Sequence, residues 1–217
     1  NYARIENSIA VLSDMHTNIS YIYYGGTAET LGIARKGDNQ NLESIWEKEV
    51  FKYIHPDDLA EKYVQELRFY HFLKQIPHKK RADYFLMSKL RMRDPSGKYI
   101  PILHRMFYVA THSNDSMWLA LCLYNLSVDP TMSCRVINST NGQVIELEKQ
   151  DCSKLLSDRE KTILQLIDMG KTSHEIDREL FISKNTVSRH RQNILEKLQV
   201  KNSIEACRIA KELKLLF

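Results

Sequence analysis

Between Ser157 and Leu198 the chain carries three helix-start signals in close succession, and their spacing leaves few folds open. Ser157 is followed three residues on by Glu160, and Thr172 by Glu175, the separation at which each side chain satisfies an orphan backbone N–H beside the other. The first box predicts a helix with Ile163, Leu164, Leu166 and Ile167 as its apolar stripe, ended at Gly170, a residue suited to the left-handed position past a helix. The second predicts a short helix through "SHEIDREL", with Ile176 and Leu180 on its inner face. Phe181 and Ile182 then fill a turn, and Ser183 offers an N-cap oxygen for a third helix that starts near Lys184. The expected order is helix, three-residue turn, helix. A fourth helix after Asn202, with Ile204, Ala206, Cys207, Ile209, Ala210 and Leu213, is expected to close a bundle or meet a second subunit.

The third helix sorts into faces. Val187, Ile194 and Leu198, helped by Leu195, recur at inward spacing, while Asn185, Ser188, Arg189 and Gln192 follow the i, i+3, i+4, i+7 rule on a polar face. Arginine matches guanine, Asn and Gln match adenine, and Ser pairs with several bases, so these four residues are candidate base readers. His190 falls nearer the apolar row and is expected to pack or to touch phosphate. The chain's formal charge is +4, and residues 183–201 alone carry five Lys or Arg against Glu196. Such localised charge is the footprint of a nucleic-acid reader. Lys184, Arg191, Lys197 and Lys201, with the hydroxyls of Thr172 and Ser183, are the expected phosphate holders. A basic helix is also an ordinary solvated surface. The short preceding helix and tight turn favour the reader, because that geometry lets one helix enter a major groove while its partner crosses the backbone.

This segment resembles the LuxR-type (NarL/FixJ-type) helix-turn-helix of bacterial transcription regulators. The resemblance rests on Leu156, Ser157, Arg159, Glu160, Leu164, Gly170, Glu175, Ile176, Ile182, Ser183, Thr186, Val187, His190, Ile194, Lys197 and Leu198. It implies DNA binding, with Ser188, Arg189 and Gln192 facing bases. Where relatives usually carry Lys after Thr-Val, this chain has Ser188, a departure that bears on the target sequence.

Residues 1–128 have another rhythm. "SIAVLS" and "NISYIYY" flank a turn at "DMHTN", and "YFLMSKLRMRD", "KYIPILHRMFYVATH" and "SMWLALCLYNLSV" read as three later strands. Between them "PDDLAEKYVQELRFYHFLKQI" repeats Leu59, Tyr63, Leu67, Tyr70 and Leu73 at helical spacing. Leu86, Leu90 and Met92 alternate with Lys89, Arg91 and Arg93, which predicts one buried and one wet face, and "DPSG" predicts a tight turn. Two strands, helices and three strands form a five-stranded antiparallel sheet that resembles a PAS domain, as do "IHPDDL" and "LRMRDPSGKYIPILHRMFY". The resemblance implies sensing of a small ligand or other signal, or dimerisation.

The expected fold class is therefore α+β: a PAS-like domain at 1–128, a linker with a hairpin around Asn141-Gly142 at 129–154, and an all-α four-helix domain at 155–217. No run reaches the roughly 18 apolar residues of a membrane helix. "NYARIENSIAVLSD" lacks the pattern of a secretory signal, and Cys122, Cys134, Cys152 and Cys207 form no CxxC pair, so a reducing cytoplasmic setting is expected. No Gly-rich phosphate loop, GxSxG elbow or metal-spaced cluster suggests an enzyme or a metal site. His71 reads as a structural residue of the long helix, and His104 and His112 share a strand with no second ligand in view. No cofactor is predicted, though an unknown small ligand in the PAS-like domain is open. The expected partners are double-stranded DNA, a second copy of the chain and RNA polymerase, with no membrane. A divergent phosphoacceptor domain in front, or a protein-interaction adaptor without DNA binding, are the competing readings.

Overall fold

The computed structural model describes residues 2–111, 117–127, 129, 133–147, 155–213 and 215–216. The chain divides into two compact units, Asn1–Leu147 and Glu148–Phe217. His112 and Cys152 lie outside the described residues, as do 148–154 of the expected linker.

The first unit runs α1 (Tyr2–Ile5), β1 (Ile9–Asp14), β2 (Ile19–Tyr24), α2 (Gly26–Thr30), β3 (Asn39–Leu42), α3 (Lys48–Phe51) and α4 (Pro56–Lys74). A 3-10 turn at His78–Asp83 leads into β4 (Tyr84–Arg93), β5 (Tyr99–Thr111), β6 (Met117–Leu126), β7 (Arg135–Asn138) and β8 (Val144–Ile145). All eight described strands belong to one antiparallel sheet in the order β3-β2-β1-β6-β5-β4-β7-β8. The five expected strands are its centre, and the count of five is too low. The polar edge strand "NQNL" has no two-residue hydrophobic alternation, so β3 leaves no pattern to detect. The hairpin expected around Asn141-Gly142 forms as β7 and β8 and extends the sheet, with β7 paired to β4 from Tyr84↔Asn138 to Met87↔Arg135. Gly142 takes φ +73 in that hairpin, a conformation that Gly adopts without steric cost.

Helix α4 starts as its sequence suggests, with Pro56 in its first turn and His55 Nδ1 accepting from the Asp57 N–H. It is fixed to the sheet by Arg91 of β4, whose Nε and Nη2 donate to the two Asp58 carboxylate oxygens at 2.9 and 2.6 Å. Burial works against charge on Asp58, but the Arg91 bonds outweigh it and hold the carboxyl below its usual range. Tyr63, Leu67 and Leu73 are buried, with Tyr63 edge-on to Phe51 and tilted against Trp46. Leu59 and Tyr70 are only half-buried. On β4, Leu86, Leu90 and Met92 face inward and Lys89, Arg91 and Arg93 outward, as the alternation predicts. The "DPSG" turn closes on Asp94, whose Oδ1 accepts from the N–H groups of Ser96 and Lys98.

The second unit is helical: α5 (Asp158–Asp168), α6 (Ser173–Leu180), α7 (Lys184–Leu198) and α8 (Ser203–Glu212). Both capping boxes form, and Ser183 and Asn202 cap α7 and α8. Ile163, Leu164, Ile176, Val187, Ile194, Leu198, Ala206 and Ile209 make the core. Ile204 stands 84% exposed, against its expected place in the bundle, and Leu180 is half-buried. Gly170 sits at φ +83 just past α5, as expected of a residue that ends a helix.

Candidate DNA interface and an interior polar cluster

Helix α7 is held from three sides. The hydroxyl of Ser183 accepts the Thr186 N–H at 3.1 Å, which fixes its first turn. Arg159 Nη2 donates to the Leu180 carbonyl at 2.9 Å, so the residue beside the first capping box also ties down the end of α6. Glu160 closes its box by accepting the Ser157 N–H at 2.7 Å and receives Lys197 Nζ, also at 2.7 Å. Burial raises the cost of charge on Glu160, yet the Lys197 and Ser157 bonds prevail and keep its carboxyl below the ordinary range.

Between α6 and α7 the chain turns at Phe181, which adopts φ +54 in the left-handed region and is 94% exposed. Its N–H and that of Ile182 return to the carbonyls of Arg178 and Asp177, which closes the end of α6. With Val187, Ile194 and Leu198 all at most 1% exposed, the opposite face of α7 is directed outward. Asn185, Ser188, Arg189 and Gln192 all lie there in solvent, so the structure brings the four candidate base readers onto one surface. Lys184, Ser183, Thr172 and Lys201 are exposed as well.

Arg191 and Lys197, both expected phosphate holders, are tied to other helices of the bundle. Arg191 donates from Nη1 to Ser173 Oγ at 3.0 Å and from Nη2 to Ser203 Oγ at 2.9 Å, and so bridges α6, α7 and α8. Lys197 is joined to Glu160, as above. His190 is half-buried, and its Nδ1 has no hydrogen-bond partner among the described residues. That agrees with its place near the apolar row.

The first unit holds a constellation that sequence patterns do not reveal. Lys62 and Glu66 sit four residues apart on the inner side of α4, with Lys62 Nζ 2.6 Å from Glu66 Oε1 and over the Phe51 ring at 4.4 Å. Burial disfavours the ammonium, but Glu66 and Glu47 overcome this and raise its pKa. Tyr124 donates to the buried Glu47 at 2.5 Å, and Glu47 itself is pushed up by desolvation. The sheet supplies the facing groups. Register aligns Ser88, His104 and Tyr124 across β4, β5 and β6, and Cys122 lies two residues from Tyr124 on the same face. His104 Nδ1 is 3.1 Å from Ser88 Oγ, and its ring is fully buried, which favours the neutral imidazole. The signal that could have found this cluster is the appearance of Lys62 and Glu66 within the apolar spacing of α4, where a charge must find a partner. His71, in contrast, is half-buried beside Tyr70.

With this geometry in view, comparison with known proteins gives a consistent result. Residues 154–210 match the family described as "Bacterial regulatory proteins, luxR family". The transcriptional regulatory protein DesR of Bacillus subtilis is 51% identical over 57 residues, which are 26% of this chain and 29% of DesR. The spore germination protein GerE of the same organism is 45% identical over 60 residues, 27% of this chain and 81% of GerE. The chain spans 25–29% of the length of the first curated relatives it matches. A solved structure of the Vibrio cholerae VqmA dimer aligns over 97% of this chain and 86% of its own at 14% identity, with a TM-score of 0.32, a likeness too weak to carry a fold or a ligand across. The matched residues include all of α5, α6 and α7 with their caps, and GerE is covered over most of its length, so the chain belongs to the luxR family of bacterial regulatory proteins.

Proposed function

We propose that this protein is a sequence-specific, DNA-binding transcription regulator in which α7 reads the major groove. One observation carries the reading: a helix fixed by caps at its start and by buried residues behind turns a wholly polar face, Asn185, Ser188, Arg189 and Gln192, to solvent. These side chains fit base edges, with Arg189 suited to the two acceptors of guanine and Asn185 or Gln192 to adenine. Lys184, Lys201 and the hydroxyls of Thr172 and Ser183 are exposed around that face and serve as phosphate contacts. Arg191 and Lys197 act first as internal braces, through Ser173, Ser203 and Glu160.

The first unit is the PAS-like sensory or dimerisation part of this reading, supported by its antiparallel sheet with α4 inserted between the early and late strands. Two copies of the short reader on half-sites one DNA turn apart would multiply affinity, which favours a homodimer. No described helix is long and apolar enough to cross a membrane, and we place the regulator in the cytoplasm, acting on promoters with RNA polymerase and without enzymatic turnover. The test is a DNA-binding titration on genomic fragments at two salt concentrations. A reader gives a shift that weakens steeply with salt and prefers some fragments. No salt-sensitive shift on any fragment would indicate a protein-interaction adaptor instead.

A further inference from the structure

We propose that Glu66, His104 and Cys122 form a binding site for a zinc-class divalent cation inside the first unit. This goes beyond the reading of α7 and does not depend on it. The three side chains offer the carboxylate oxygen, imidazole nitrogen and sulfur that such ions prefer. Their ligand atoms all lie within 4.8 Å of one another, and the group comes from α4, β5 and β6.

The spacing fits an ion. Tetrahedral bonds of about 2.0 Å to nitrogen and oxygen and about 2.3 Å to sulfur set N and O atoms about 3.3 Å apart, and S and O atoms about 3.5 Å apart. His104 Nε2 is 3.4 Å from Glu66 Oε1, and Cys122 Sγ is 3.9 Å from the same oxygen. Both separations from Glu66 Oε1 are within a few tenths of an ångström of those values, and all three ligand atoms lie within 4.8 Å of one another.

A second observation is independent of spacing. His104 is fully buried, and its Nε2 makes no hydrogen bond among the described residues, although it lies 3.4 Å from Glu66 Oε1. A buried polar nitrogen without a partner is costly, and a metal bond would satisfy it. Its other nitrogen lies against Ser88 Oγ at 3.1 Å, the outer contact that directs Nδ1–H away and leaves the Nε2 lone pair for a metal.

The charges also close. On binding, the Cys122 S–H bond breaks, its proton leaves to solvent, and the thiolate and the Glu66 carboxylate together match the two charges of the ion. Lys62, which now donates to Glu66 Oε1, then balances Glu47, to which Tyr124 already donates. The side chain of Glu66 is 12% exposed, which gives the cluster its outlet to solvent. Three protein ligands leave the fourth position to water or a small donor, the arrangement of a reactive or sensing site and not of a closed structural one.

The experiment uses the full chain, stripped with chelator, reduced, and titrated with Co2+ as the probe. One equivalent is expected to give the visible bands of tetrahedral cobalt together with a near-ultraviolet thiolate charge-transfer band, both bleached by Zn2+. Cys122→Ser should abolish the charge-transfer band and weaken binding by more than about 100-fold, beyond the 10–100-fold typical of outer-shell changes. His104→Gln should weaken binding but keep the band, and Cys134→Ala should leave it unchanged. Because a buried variant can fail to fold, the zinc-loaded unmutated protein is also examined by X-ray absorption, with one sulfur at about 2.3 Å expected. An octahedral cobalt spectrum, a shell of nitrogen and oxygen alone, or a thiolate band that survives Cys122→Ser would overturn the site.

Discussion

Lys197 Nζ, near the end of α7, lies 2.7 Å from Oε2 of Glu160 in the first turn of α5. The carboxylate is 3% exposed, and it also accepts the Ser157 N–H that opens the helix. One group thus joins the start of the bundle to the helix proposed to read DNA. Because the folded carboxyl titrates below its usual value of 4.5, its stabilising contribution is present above that value and is lost as pH falls through the depressed one. Acid unfolding of the second unit followed by circular dichroism should therefore steepen below about pH 4.5, and Glu160→Gln should flatten that dependence.

Base reading and charge should separate by mutation. Arg189→Ala should cost about 1–3 kcal/mol on the preferred sequence and relax specificity there. Lys201→Ala should weaken every sequence alike and reduce the salt slope by about 0.9. Equal losses on all sequences from both variants would dissolve the division between the two residues.

Arg191 is predicted to act through the bundle. Its removal leaves the Ser173 and Ser203 hydroxyls without their shared donor, at a cost of about 2 kcal/mol for charged hydrogen bonds of this kind. Arg191→Lys should not restore stability, since one ammonium does not reproduce the fork that reaches two helices. Thermal unfolding of the three proteins decides it. A pure phosphate contact would leave their melting temperatures equal.

Phe181 holds a left-handed backbone with almost no burial of its ring. Phe181→Gly should raise the stability of the second unit by up to about 1 kcal/mol, because Gly meets no Cβ penalty at that position. A fall in denaturant midpoint would show that the ring is held by contacts that its exposure conceals.

In the first unit, Lys62→Met removes the buried cation shared by Glu47 and Glu66 and should destabilise it by about 3–5 kcal/mol. The double variant Lys62→Met/Glu66→Leu should recover much of that loss, since no uncompensated ion then remains on α4. Urea midpoints of both variants provide the check.

What the sequence settles is local. Capping boxes, N-caps, a C-terminal Gly and helical periodicity are interactions among residues a few positions apart, and so α5, α6 and α7 and the solvent face of α7 are legible in the order of residues alone. The five central strands are legible for the same reason, through alternation and turn chemistry. The tertiary structure decides everything that depends on distant partners. It draws the edge strand β3 and the β7–β8 hairpin into the sheet through backbone hydrogen bonds that leave no pattern in side-chain type. It also turns Arg191 and Lys197 from apparent surface cations into braces, and leaves Ile204 in solvent despite its apolar character. Above all, strand register and the docking of α4 gather Glu66, His104 and Cys122, far apart in the chain, into one buried cluster. Register fixes which side chains meet across strands, and no spacing along a single chain encodes it directly.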